Sequence, residues 1–84
     1  MKIIECTGSP REFGFKTKTT FLEKLSSFGY TQGKMTKKDN KVNILVCDDI
    51  DSDTSKMKLA KQLGVEIMTY GEVADMFDLQ GDID

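Results

Sequence analysis

Four successive apolar residues, Ile44-Leu45-Val46-Cys47, stand in an otherwise polar stretch of the chain. A strand without polar alternation has no face to give to water, so it must be covered on both sides, as strands of parallel sheets are. The flanking sequence supplies both further strands and covers. Residues 2–6 are short and rich in β-branched side chains, and Thr7-Gly8-Ser9-Pro10 stops them, which predicts a first strand and a loop. Phe21, Leu22, Leu25 and Phe28 fall at i, i+1, i+4 and i+7, which predicts a one-sided helix over 17–28 ended by Gly29. Residues 30–35 read as a weak second strand, 37–41 as a polar turn and 42–47 as the third strand.

Residues 48–55 form a polar loop rich in natural N-caps. Met57, Ala60 and Leu63 then mark a short helix ended by Gly64. Residues 65–68 give a fourth brief strand. Thr69-Tyr70-Gly71-Glu72 has the spacing of a capping box and opens a last helix, with Val73, Met76 and Phe77 expected inward. The resulting order, β-α-β-β-α-β-α, predicts an α/β fold with a parallel sheet and helices on both faces. One domain over residues 1–78 is expected, followed by an acidic tail, 79–84, that frays.

Composition removes several classes of function. At 84 residues there is no room for a second core, since a chain this short buries only about 60% of its unfolded surface. The apolar runs are far below the ~20 residues of a membrane span, and Met1-Lys2-Ile3-Ile4-Glu5 lacks the pattern of a signal peptide. There is no His and there are only two Cys. Histidine acid–base chemistry and a four-ligand zinc site of the usual kind are therefore excluded. No cofactor is expected, and no catalytic or metal-binding residue is assigned.

The net charge of −2 is unevenly distributed. Residues 1–47 carry nine Lys or Arg against four acids, and residues 48–84 carry three Lys against ten acids. Such a split suits a basic face meeting an anionic partner, although a solvated surface would look the same.

The run Asp48-Asp49-Ile50-Asp51-Ser52-Asp53-Thr54 invites three catalytic or metal readings, and each fails on length or spacing. A receiver domain and a haloacid-dehalogenase phosphatase both need far more chain after such aspartates. An EF-hand loop counted from Asp49 would need Gly where Thr54 stands and Glu where Ala60 stands. A solvated loop that caps the next helix is the simpler account. Cys6 and Cys47 lie near the C-terminal ends of their strands, close together if the strands are neighbours. Without a CxxC spacing or a His partner they read as buried thiols.

Thr7-Gly8 and Ser55-Lys56 are more informative together. Ligands of open parallel sheets bind beyond the carboxyl ends of strands where connections leave on opposite faces. In a sheet of order 2-1-3-4 that switch point lies between the first and third strands. Thr7, Gly8, the start of the second helix and Lys56 would then converge on one anion.

The order of these motifs resembles a BRCT domain, most closely the single modules of NAD-dependent DNA ligases and of the replication factor C large subunit. The likeness runs from residue 2 to residue 77. It is carried by Ile4-Glu5-Cys6-Thr7-Gly8, Phe21-Leu22-Glu23-Lys24-Leu25, Gly29, Thr36-Lys37-Lys38, Ile44-Leu45-Val46, the stretch from Ser55-Lys56 to Ile67-Met68, and Glu72-Val73-Ala74-Asp75-Met76-Phe77. Departures are Phe28-Gly29 for a usual Gly-Gly, Val73 near the place of a frequent Trp, and about two extra residues around Asn40-Lys41. Lys18 stands where a first-helix Arg holds phosphate in the replication factor C type.

The resemblance implies a four-stranded parallel sheet of order 2-1-3-4, with the first and third helices on one face and the second on the other. It implies a binding module, not an enzyme, serving a DNA replication or repair protein such as a ligase. Thr7, Gly8, Lys56 and Ser55 would hold phosphate, with Lys18 or Lys16 assisting and Lys37 and Lys38 adding attraction for DNA. The expected partner is 5′-phosphorylated or nicked duplex DNA or a replication or repair protein, and no membrane. The place implied is intracellular, cytoplasmic in a bacterium or phage and nuclear in a eukaryote. Phe13, Phe15 and Tyr70 are either core residues or exposed anchors for a protein partner.

Overall fold

The computed structural model describes residues 2–82. Met1 and the last two positions of the expected tail lie outside the described residues. Strands β1 (Lys2–Cys6), β2 (Tyr30–Gln32), β3 (Ile44–Cys47) and β4 (Glu66–Thr69) form one sheet in the order β2-β1-β3-β4. Every pairing is parallel; Ile4 stands beside Ile44, Cys6 beside Val46 and Cys47 beside Thr69. Helices α1 (Lys18–Ser26), α2 (Ser55–Leu63) and α3 (Tyr70–Phe77) complete the α/β fold expected from the sequence.

All four residues of β3 are buried, as an unalternating central strand requires. Because successive side chains point to opposite faces, the strands feed two separate cores. Ile4, Cys6, Ile44 and Val46 pack with Phe15, with Phe21 and Leu25 of α1, and with Tyr70 and Val73 of α3. Leu45 and Cys47 pack on the other face with Met35, Val42, Val65, and Met57 and Ala60 of α2. The sheet is thus sandwiched with α1 and α3 on one side and α2 on the other.

Each helix starts on a threonine. The Thr17, Thr54 and Thr69 hydroxyls accept from the amides of Thr20, Met57 and Glu72, and Glu72 returns a bond to the Thr69 amide, completing the capping box. Gly64 ends α2 at a φ of 73°, a left-handed conformation in which a side chain would be strained.

Several boundaries and placements differ from expectation. Residues 42 and 43 are not strand: Val42 is buried in the α2-side core, and Asn43 bonds to Ile3 through both its side chain and its backbone. β2 ends at Gln32, and the chain then passes under β1, where Met35 is buried. A short 3-10 turn, Arg11–Phe13, starts at Pro10 and closes at Gly14 inside the segment expected to be loop.

Met76 is 51% exposed instead of inward. Tyr70, Val73, Ala74 and Phe77 define the inner stripe of α3, and at about 100° per residue Met76 lies roughly 110° from its centre. The two cysteines are buried but do not face each other, because Cys6 is in the α1/α3 core and Cys47 in the α2 core. Residues 79–82 also depart from the expected fraying. Leu79 packs against the α1/α3 core, the Asp82 amide donates to the Gly14 carbonyl at 2.6 Å, and the Asp82 carboxylate pairs with Lys24 at 2.9 Å.

Candidate functional site

The sheet order puts the carboxyl ends of β1 and β3 side by side, and their connections leave to opposite faces, β1 toward α1 and β3 toward α2. This is the switch point at which open α/β sheets bind ligands. Thr7, Gly8 and Ser9 form its β1 side. The Thr7 amide donates to the Val46 carbonyl at 2.8 Å, and its carbonyl accepts from the buried Tyr70 hydroxyl at 3.0 Å. Those two bonds fix the backbone where it turns off the strand. Gly8 then adopts a left-handed φ of 75°, open to glycine but strained for other residues.

The space above Gly8 is filled by a carboxylate. A Cβ at position 8 would collide with the Asp48 side chain, and the Ser9 amide donates to Asp48 Oδ2 at 3.0 Å. Asp48 is the first residue beyond β3, so its side chain reaches sideways across the switch point onto the β1 loop.

Lys56, in the first turn of α2, stands on the α2 side of the same rim. Its Nζ lies 3.1 Å from Glu5 Oε2, and the other Glu5 oxygen accepts from the Met35 amide at 2.7 Å. Glu5 is 7% exposed, the one buried charged residue among the described residues. A buried carboxylate needs both a cation and hydrogen bonds to offset its lost hydration, and Lys56 and Met35 supply them. Glu5 was missed in the sequence; its signal was a single acid inside the apolar run of β1. The ammonium assigned to phosphate is therefore already anchored, with its side chain half exposed.

Lys18, the first residue of α1, lies on the opposite face of the same end. Burial pushes the Cys6 thiol up to about 12, against the pull of the Tyr70 hydroxyl and of the Lys18 and Lys56 charges. Burial raises the Tyr70 hydroxyl and the Cys47 thiol in the same way. The shift in both thiols disfavours the thiolate, which is the reactive form.

The other predicted residues are placed differently. Ser55 is exposed as the first residue of α2, while its neighbour Thr54 makes the cap. Lys16 is exposed, and its amide donates to Asp82 Oδ2 at 3.3 Å. Lys37 and Lys38 are exposed on the connection that returns from β2 to the start of β3, and no hydrogen bond or ion pair joins them to Thr7, Gly8 or Lys56 among the described residues. Phe15 and Tyr70 are buried and Phe13 is half-buried against Tyr70, so none of the three is a free anchor.

The acidic loop organises itself. The Asp49 side chain accepts from the Asp51 amide at 2.9 Å and its carbonyl from the Ser52 amide at 3.1 Å, an Asx-type turn. Among the described residues no three acidic or cysteine side chains converge as metal ligands would, and no helix is long and apolar enough to cross a membrane.

Two other surface features lie away from the rim. An open depression of about 240 Å³ runs between Thr19, Leu22, Glu23 and Ser26 of α1 and Tyr30, Thr31 and Gln32 of β2. None of its lining residues belongs to the predicted site. At the far ends of α1 and α3, Phe28 is 49% exposed and stacks on Phe77, which in turn meets Tyr30 edge-on.

No family model, curated protein or solved structure matches this chain.

Proposed function

We propose that this chain is a non-catalytic BRCT-type binding module of an intracellular DNA replication or repair protein, such as a ligase, that contacts DNA at a 5′-phosphate or nick. One observation carries this reading: at the β1/β3 switch point a backbone amide and a lysine each already hold a carboxylate oxygen, Ser9 at 3.0 Å and Lys56 at 3.1 Å. Groups that take carboxylate oxygens in that arrangement are suited to phosphate oxygens, which demand the same donors with more charge. The Thr7 backbone, held by Val46 and Tyr70, fixes the turn, Gly8 opens it, and Lys18 adds charge from the start of α1. Contacts of this kind position a duplex without reading its sequence.

The test is fluorescence anisotropy with paired duplexes that differ only in a 5′-phosphate. The reading expects tighter binding of the phosphorylated duplex, weakened by added salt and by Lys18→Ala. Equal affinity for both duplexes, unchanged by that substitution, would refute it.

A second reading is docking to a protein of the same complex. The observation in its favour is the exposed Phe28 and Met76 beside Phe77 at the opposite end of the α1/α3 layer. Amide-shift changes confined to α3 and Phe28 on adding a partner protein, with none at Thr7 to Ser9, would favour docking.

A further inference from the structure

We infer that Asp48 is an internal competitor for the rim, so that an external phosphate binds by displacing the Asp48 carboxylate from the Ser9 amide. This rests on the proposed anion-binding reading and adds the residue that sets its affinity.

The geometry is specific. The Asp48 carboxylate lies over Gly8, in the space that a side chain at position 8 would need, and bonds the Ser9 amide at 3.0 Å. Backbone amides following a left-handed residue form a concavity that takes anions, and here the occupant comes from the next strand of the same chain. An arriving phosphate needs that amide and that volume. It also meets the negative charge of Asp48 for as long as the side chain stays near.

The other parts of the rim do not oppose the exchange. Lys56 is held by Glu5 through only one of the carboxylate oxygens, and its side chain is 47% exposed, so it can bond a phosphate oxygen while remaining beside Glu5. Asp48 itself is only half-buried, and water can take its place at the amide. Its neighbours Asp49, Asp51 and Asp53 are engaged in their own turn or paired with exposed Lys58, so they do not hold Asp48 in place. The exchange is one anion for another, with no covalent step.

The charge and the hydrogen bond can be separated by substitution. Asp48→Asn keeps an oxygen for the Ser9 amide and removes the charge. Asp48→Ser removes the reach as well and guards against a folding defect in the first variant. Asp51→Asn changes the net charge identically from an exposed place in the same loop.

The experiment titrates each variant, after its thermal melt shows a folded chain, with inorganic phosphate by amide shifts of Gly8 and Ser9. The paired 5′-phosphorylated and 5′-hydroxyl duplexes follow by anisotropy. Removing one like charge within a few ångströms of the bound group is expected to tighten Asp48→Asn binding of the phosphorylated duplex about tenfold. The gain should be smaller for the 5′-hydroxyl duplex and absent in Asp51→Asn.

An equal gain in Asp51→Asn, or an equal gain for both duplexes, would overturn the inference, because net charge alone would explain it. If the wild type prefers the phosphorylated duplex and Asp48→Asn and Asp48→Ser leave that preference unchanged, the inference falls and the proposed function stands. If no variant distinguishes the duplexes, both fall.

Discussion

The two sides of the sheet are built from different materials. On the α1/α3 side the packing is aromatic: Phe15 meets Phe21 edge-on at 4.8 Å, and Phe21 meets Tyr70 edge-on at the same distance. The Tyr70 hydroxyl, set among these rings, donates to the Thr7 carbonyl. On the α2 side the fillers are Met35, Met57, Leu45, Val42 and Ala60, and a carboxylate, Glu5, is set beneath Lys56. Edge-to-face pairs hold rings in fixed relative positions, whereas methionines adapt to irregular gaps. One layer therefore fixes the fold, and the other carries the charge that positions the rim.

The largest expected effect tests the aromatic layer. Phe21→Ala removes a fully buried ring with two aromatic partners and should cost about 3–5 kcal/mol in urea unfolding. In a domain of this size that is a large share of the stability. A loss below that of Met57→Ala would break the comparison.

The next effect tests the charged layer. Lys56→Met leaves Glu5 buried without its cation and should destabilise by about 1–3 kcal/mol. Adding Glu5→Gln should recover part of that loss, because the amide oxygen still accepts from Met35 and no charge remains. A double-mutant cycle gives the coupling directly, and zero coupling would mean that Lys56 is not held by Glu5.

A smaller effect concerns the tie between layer and rim. Tyr70→Phe keeps the ring and loses the bond to the Thr7 carbonyl, for about 1 kcal/mol. The amides of Thr7 and Gly8 should shift in the same variant, while those of α2 do not.

Two pH responses follow from the same layers. The Cys6 thiol is raised in the fold, from 9.0 to about 12, chiefly by burial. A group whose folded value is raised gives its full stabilisation below its unfolded value and loses it as pH rises, so urea midpoints should fall between about pH 9 and 12. Tyr70, raised by burial as well, acts in the same direction. Asp82 is lowered, first by its bond to Lys24. Its contribution is present above its unfolded value near 3.8 and is lost as pH falls below that, which the amides of Gly14 and Lys16 should report first.

Much of the architecture was legible in the sequence for a physical reason. Ile44 to Cys47 had no polar face, so burial on both sides and a parallel sheet followed, and the threonine caps and Gly64 punctuated the helices. Thr7, Gly8 and Lys56 came to one rim because strand order alone decides which strand ends meet. What stayed hidden were contacts between residues far apart in sequence. Nothing local shows that Asp48 crosses to Ser9, that Glu5 holds Lys56, or that Asp82 returns to Lys24. Met76 misled because a short helix leaves the phase of its stripe open, and Tyr70, held by Phe21 and Thr7, sets that phase.

Whether the β1/β3 rim takes phosphate is decided by titrating the labelled chain with a 5′-phosphorylated duplex and mapping amide shifts. The largest changes are expected at Thr7, Gly8, Ser9 and Lys56, and none there with the 5′-hydroxyl duplex. Changes centred on Phe28 and α3, or identical for the two duplexes, would contradict it.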